Sequence, residues 1–279
     1  YEQAMKNFVP GGTNRVILAT DGDLNVGITD DDSLVEFITE KAKTGVFLTV
    51  LGYGTGNLKD SKLEKIANKG NGTYAYIDSL REARKVLVDE MAASLVTIAK
   101  DVKIQVDFNF ALVEAYRLIG YENRMLAAKD FDDDKKDAGE IGAGHTVTAL
   151  YEIVPPRKER AASTSKYQQI PEDLMTVAAK SGEMATLKLR YKEPDGEKSR
   201  LIERPVKDEG KQFGEASKDF RFASAVASFG MVLRGSRHAR HLSLAAVEEF
   251  AAGAIGSDEG GLRSEFIELI QLARQLTGR

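Results

Sequence analysis

The stretch Arg15-Val16-Ile17-Leu18-Ala19-Thr20-Asp21-Gly22-Asp23 is an apolar run that ends abruptly at a carboxylate. Val16 to Ala19 leave no polar position between them, so the pattern predicts a strand over 15–20 that is covered on both faces, as strands of parallel sheets are. VFLTVLG (46–52) has the same character, and TYAYI (73–77) supplies a third strand. Helical periodicity lies between them. Asp30-Asp31-Asp32-Ser33 places negative charge at the start of a helix whose Leu34, Ile38 and Ala42 share a face. Lys41 and Lys43 lie near its end and Gly45 follows, which complements the helix dipole and marks a stop. Ser61 with Glu64, and Ser79 with Glu82, fit the capping box; the second pair opens an expected long helix with Leu80, Ala83, Leu87, Met91 and Leu95 on one side. Alternating strands and helices over residues 1–99 predict an α/β unit built on a parallel sheet.

Beyond this point the period changes. VKIQVDF (102–108), HTVTALYEIV (145–154) and ATLKLRYK (185–192) alternate apolar and polar residues, and VEAYRLIGY (113–121) and RLIERPV (200–206) add two more strand candidates. Residues 100–279 are therefore expected to form a second, α+β domain, with a β-sandwich-like or curved antiparallel sheet followed by helices. The segment 155–172 is polar, holds three prolines and reads as a surface loop. In the C-terminal third, Phe222, Val226, Phe229 and Leu233 recur at helical spacing, as do Phe266, Ile270, Ala273 and Leu276. A further helix is expected around Leu244 to Ile255, with DEGG (258–261) as the turn after it.

The 279 residues carry a formal charge of −4 and are 42% hydrophobic, the composition of a globular chain long enough for two cores. Net acidity gives no general attraction for nucleic acid or anionic lipid. The absence of cysteine excludes disulfides and thiolate metal sites without fixing a compartment. No run approaches the roughly 18 apolar residues that span a bilayer. The chain opens on Tyr1 rather than Met, so it reads as a piece of a longer polypeptide, with any membrane anchor or export signal upstream.

Asp21 is the leading site candidate, because open α/β sheets hold ligands in the crevice beyond the carboxyl ends of their strands. The plain alternative is that Asp21 and Asp23 shape the turn around Gly22. An enzymatic alternative is a haloacid-dehalogenase-like phosphotransferase, in which Asp21 would attack phosphorus, Asp23 would handle the leaving-group proton and Mg²⁺ would neutralise the phosphate. That motif normally continues into Thr or Val, whereas Leu24 and Asn25 follow here. It also needs a lysine at a later strand tip, where the sequence offers only Thr55 and Asp78.

The runs GGTNRVILATDGDLNVG, GVFLTVLGYGTGN and KIANKGNGTYAYIDSLREARKVL together resemble the second half of a von Willebrand factor type A domain, a doubly wound parallel sheet. More narrowly they resemble the bacterial YfbK-type proteins, whose C-terminal domain of unknown function is echoed by AYRLIGYENR (115–124), DDDKKDAGEIGAGHTVTALYEIVP (132–155), LKLRYKEPDGEKSRLIE (187–203) and DFRFASAVASFGMVLR (219–234). The resemblance implies a non-catalytic, metal-ion-dependent adhesion site. Asp21 would be one ligand of Mg²⁺, Thr20, Gly22, Asp23, Gly54 and Thr55 would form the binding loops, and a protein partner would offer a carboxylate to the ion. The other expected ligands, an Asp-x-Ser-x-Ser loop and a Thr, would lie before Tyr1. One carboxylate does not hold Mg²⁺ against its hydration shell, so this chain alone is not expected to bind the ion. The resemblance also implies a periplasmic or cell-surface location, and it leaves strand 15–20 as an edge open to self-association. A purely structural role is the remaining alternative.

Other motifs are weaker. GYGTGN (52–57) fits neither phosphate-loop spacing and reads as a connection near the site. Asp130, Asp132, Asp133, Asp134, Asp137 and Glu140 offer enough oxygens for calcium, but Lys135 and Lys136 break the EF-hand order, so a solvated hairpin loop is expected. His145 reads as structural, at the start of a strand. His238 and His241 fall in RGSRHARH (234–241) at a spacing that could share a metal, but with no acidic ligand nearby the stretch reads as a basic loop of the kind favoured near helix C-termini. There is no Ser/His/Asp signature.

Overall fold

The structure, a computed structural model, describes residues 1–22, 30–54, 58–90, 96–121, 125–136, 138–156, 176–194 and 196–278. Two compact units are formed, one from Tyr1–Gln105, Leu126–Thr146 and Lys188–Glu203, the other from Val106–Met125, Val147–Leu187 and Arg204–Arg279.

In the first unit, β1 (Asn14–Thr20), β2 (Val46–Tyr53) and β3 (Tyr74–Ile77) form a parallel sheet in that order. β2 is flanked on both sides and nearly all of it is buried, whereas β1 is paired along one edge and Ile17 is 50% exposed. No described strand pairs with the second edge of this apolar strand. Helices α1 (Glu2–Lys6), α2 (Asp31–Ala42) and α3 (Asp60–Lys69) precede and separate the strands. Ile38 of α2 and Leu63, Ile66 and Ala67 of α3 bury against Leu48 and Val50, with Val16 and Leu18 packed beside them. Asp30 caps α2 by accepting from Ser33 N at 2.8 Å, an interaction typically worth about 1 kcal/mol.

Two helix starts differ from the reading of the sequence. α3 begins one residue before Ser61, and Lys59, which stands at the cap, makes no side-chain cap bond. Ser79 does accept from Glu82 N, but the helix it opens, α4 (Leu80–Arg84), passes into a π-helical turn at Lys85–Asp89. Leu80 is 91% exposed, so the expected apolar side is not buried there. Met91 and Leu95 fall outside the described residues.

The later strands are β4 (Thr97–Phe108), β5 (Ala115–Ile119), β6 (Gly139–Gly142), β7 (Leu150–Val154), β8 (Ala185–Lys192) and β9 (Arg200–Val206). They form a sheet of order β6-β4-β8-β9 and a separate β5-β7 pair; β4 with β6 and β5 with β7 are antiparallel. β6 was not expected, because its Gly-Glu-Ile-Gly sequence is too short to show a period. His145 opens no strand, since β7 begins five residues later.

In the second unit, Phe108, Val113 and Ala185 form a small core, where Phe108 stacks on Tyr116 at 4.1 Å between ring centroids. Its helices are α5 (Lys218–Leu233), α6 (Leu244–Ala252) and α7 (Leu262–Thr277). Their shared core is Phe222, Ala225, Leu244, Val247, Ala251, Ala254 and Ile270, with Phe229, Val232, Phe266 and Ala273 packed against it. Val226 and Leu233, expected to point inward, are 43% and 52% exposed; Ala225 and Val232 take the inner face instead. Leu276 is 79% exposed. After the DEGG turn, Asp258 accepts from the backbone N–H of Arg263 and Ser264 at 2.9 Å each, satisfying donors that the first turn of α7 leaves open.

Candidate functional site

The parallel register, with Thr20 opposite Gly52 and Tyr53 opposite Ile77, brings the carboxyl ends of β1, β2 and β3 to one edge of their sheet. Asp21, Gly54 and Asp78 follow the three strands there. Asp21 is exposed and makes no hydrogen bond or ion pair with a described residue. Thr20 and Gly22 shape the turn: the Thr20 hydroxyl accepts from Gly22 N at 3.1 Å, and Gly22 has φ of +103°, a conformation that costs a side-chain-bearing residue strain. Gly54 also has positive φ, and its carbonyl accepts from the Tyr76 hydroxyl at 2.8 Å, tying the end of β2 to β3. Asp23 and Thr55 lie outside the described residues.

Below this edge the sheet is braced by groups that the sequence did not single out. Tyr74 donates its hydroxyl to Asp60, and burial, reinforced by that hydrogen bond, raises its pKa far above the ordinary tyrosine value. Arg15 donates to the Thr49 hydroxyl at 2.8 Å. Burial lowers the Arg15 pKa, an effect partly opposed by Glu140.

The acidic run is in part the solvated loop expected of it, with Asp132 and Asp133 exposed, but Phe131 is buried and basic side chains hold its backbone. Lys103, only 3% exposed, donates its ammonium to the carbonyls of Asp133 and, at 3.1 Å, Asp130. Arg190 pairs with Asp132 at 2.6 Å and lies over the Phe131 ring, while Lys192 bonds the Asp101 carboxylate and the Asp134 carbonyl at 2.7 Å each. Asp134 accepts from the Ser199 backbone at 3.4 Å; hydrogen bonding to Ser199, led by its side chain, holds the Asp134 carboxyl below its ordinary value. Strands β4 and β8 thus supply three cations to residues 130–134: Lys103 and Lys192 hold backbone carbonyls, and Arg190 pairs with the Asp132 carboxylate. The signal was legible only in part: basic residues alternate along Lys188-Leu189-Arg190-Tyr191-Lys192, but the acidic partners lie far off in sequence, Asp132 58 positions before Arg190 and Asp101 91 positions before Lys192.

Among the described residues no group of three or more His, Asp or Glu side chains is arranged to hold a metal. Asp21 presents one carboxylate and Thr20 turns its hydroxyl to the backbone, so the described donors do not fit Mg²⁺ by themselves. The described tips of β2 and β3, Gly54 and Asp78, offer no lysine for a phosphate. His238 accepts from Arg237 Nε at 3.1 Å, which sets its ring against a cation rather than ready to ligate one.

Comparison with known proteins bears on this geometry. The chain is 44% identical over 277 residues to "Uncharacterized protein YfbK" of Escherichia coli (strain K12), covering 99% of this chain and 47% of that protein. It thus spans about half the length of this curated relative. A solved structure described as von Willebrand factor type A from Catenulispora acidiphila aligns over 98% of this chain and 61% of its own, at 16% identity and a TM-score of 0.42. The family model for the C-terminal region of uncharacterized protein YfbK matches residues 93–276, about two thirds of the sequence. The chain belongs to the YfbK family.

Proposed function

We propose that this chain is part of a non-catalytic protein-binding module of the bacterial envelope, in which β1, β2 and β3 are half of a doubly wound von Willebrand factor A-like sheet. The observation that carries the reading is Asp21: an exposed carboxylate at the tip of an apolar edge strand in a parallel sheet, beside a turn held by Thr20 and Gly22. Strand tips are where such sheets take their ligands, and the open edge of β1 is where further strands would add. The long motif resemblance supports the same view, and so does a relative about twice as long as the chain. In the full-length protein Asp21 contributes one ligand to Mg²⁺, and parts outside this chain contribute the rest. The partner offers a carboxylate to the ion.

Calorimetric titration of Mg²⁺ and Mn²⁺ into this chain, the full-length protein and Asp21→Ala versions of both tests the proposal. The expected result is binding in the full-length protein alone, abolished by Asp21→Ala, together with Mg²⁺-dependent capture of an envelope protein and no turnover of an aryl phosphate. Tight binding by the 279-residue chain, or Mg²⁺-dependent phosphatase activity lost in Asp21→Asn, would reject it in favour of a phosphotransferase.

A further inference from the structure

The chain holds 43 acidic residues among 279, yet the stretch from Phe220 to Val247 has none and carries Arg221, Arg234, Arg237 and Arg240 with His238 and His241. Three of these arginines and both histidines fall in the connection between α5 and α6. There Ala239 N donates to the Ser236 carbonyl and Leu242 N to that of Ala239, at 3.0 Å each, so the chain forms a 3₁₀ turn at Arg237–Ala239 whose faces repeat every three residues. Ser236, Ala239 and Leu242 share the inward face, and Ala239 is only 4% exposed. Arg237 and Arg240 share a second face, His238 and His241 the third, and all four are exposed. With two of its three faces turned to solvent, the connection is a convex, basic knob.

The charge is not cancelled from within. Arg237 Nε donates to His238 at 3.1 Å, and neither Arg237 nor Arg240 forms an ion pair with a described carboxylate. The acidic residues that bracket the stretch are committed elsewhere, Asp219 to Arg263 at 2.5 Å and Glu248 to Arg274 and Gln271. Complementing a helix dipole accounts for Arg234 at the carboxyl end of α5. It does not account for Arg240 and His241, which stand just before the amino end of α6, where cations are disfavoured and the first turn holds no acid. Over a Debye length of about 8 Å an approaching surface meets this knob rather than the net charge of −4. Shape narrows the anion. A lone phosphate is held in a concavity of donors, and a bound peptide in a groove or along a sheet edge, whereas a convex knob meets a flat surface. Leu233, 52% exposed and four residues before Arg237, gains from the boundary between headgroups and acyl chains and gains nothing on a nucleic-acid backbone. Arginine suits phosphodiesters through its paired N–H donors. We infer that the 233–241 connection is a docking surface for an anionic phospholipid membrane, engaged through Arg237, Arg240 and Leu233.

The test is co-sedimentation of the 279-residue chain with phosphatidylcholine vesicles, with and without about one-third phosphatidylglycerol, in about 0.1 M salt. Binding should require the anionic lipid and fade in about 0.5 M salt. A basic residue at such a surface is worth about fivefold in partition, so Arg237→Gln with Arg240→Gln should weaken binding about 25-fold at an unchanged melting temperature. Lys6→Gln with Lys43→Gln removes the same charge from the first unit and should bind like the parent. Leu233→Ser should weaken vesicle binding several-fold. Single-stranded oligonucleotide or polyglutamate, added at the same charge concentration as the lipid, should not release the chain. Indifference to phosphatidylglycerol would overturn the inference, as would an arginine pair variant or a Leu233→Ser chain that binds like the parent, or a first-unit control that weakens as much. Release by the oligonucleotide or by polyglutamate would overturn it in favour of a nucleic acid or an acidic protein.

Discussion

At the scale of single residues, charged groups held by specific partners carry testable contributions to stability. Lys103 has its ammonium committed to two backbone carbonyls of the acidic segment. Lys103→Met should keep the volume of the stem but orphan both carbonyls, costing about 1.5–3 kcal/mol, the range for hydrogen bonds made by charged groups. Urea unfolding of the variant against the parent measures this, and a change under about 0.5 kcal/mol would mean that the carbonyls find other partners. The acid side of the pH profile follows from the carboxylates. Asp134 is held below 3.8 by Ser199, and Asp258 below 3.8 by Arg263 N–H and Ser264. Glu248 is held below 4.5 by Gln271 and Arg274. A depressed folded-state pKa means that the contribution is complete above the unfolded value and is lost as pH falls through the folded one. Thermal unfolding midpoints should therefore be level from neutral pH to about pH 5 and fall below about pH 4. Asp258→Asn should flatten part of that fall in calorimetric scans. Lys192 behaves in the opposite sense: hydrogen bonding to Asp101 raises its pKa above 10.5, so its contribution is present at neutral pH and lost only as pH climbs through the raised value.

At the scale of elements, the connection from α3 to β3 is a point of close backbone packing. Leu48 N donates to the Gly70 carbonyl at 2.8 Å, and Val50 N to that of Thr73 at 2.9 Å, so this turn lies directly on β2. A Cβ at Gly72 would come within 1.8 Å of the Leu48 carbonyl oxygen. Backbone cannot give way as the end of a side chain can, so Gly72→Ala should cost about 3 kcal/mol or prevent folding, the upper range for overpacking. Gly139→Ala, whose Cβ would meet nothing within 4 Å, should stay within about 0.5 kcal/mol of the parent. Comparing the two melting temperatures separates local collision from a general intolerance of glycine replacement. None of this was readable beforehand: Asn-Gly-Thr at 71–73 announces a turn, but only the placement of α3 on β2 makes its middle residue irreplaceable. The α5 and α7 stripes teach the same lesson. Their 3.6-residue period was visible, but which of two adjacent apolar arcs turned inward depended on where α6 lay, and Ala225 and Val232 displaced Val226 and Leu233 from the inner face.

At the scale of the whole molecule, no described strand pairs with the outer edge of β1. Ile17→Lys places a charge on that edge and should raise the temperature at which the chain aggregates, measured by light scattering on slow heating, with little change in its reversible unfolding. An aggregation temperature that does not move would mean that the edge is not where chains meet. The strand tips with Asp21, the parallel sheet and the helical C-terminal third were legible because each is written locally, in a run of adjacent residues or a period along one element. Tertiary structure alone decided the rest. It set Lys103, Arg190 and Lys192 on the acidic run, buried Arg15 against Thr49 and tied Tyr76 to Gly54. The physical reason is range: hydrophobic period and turn chemistry act between near neighbours in sequence. Ion pairs and burial depend on which distant segments the folded chain brings together.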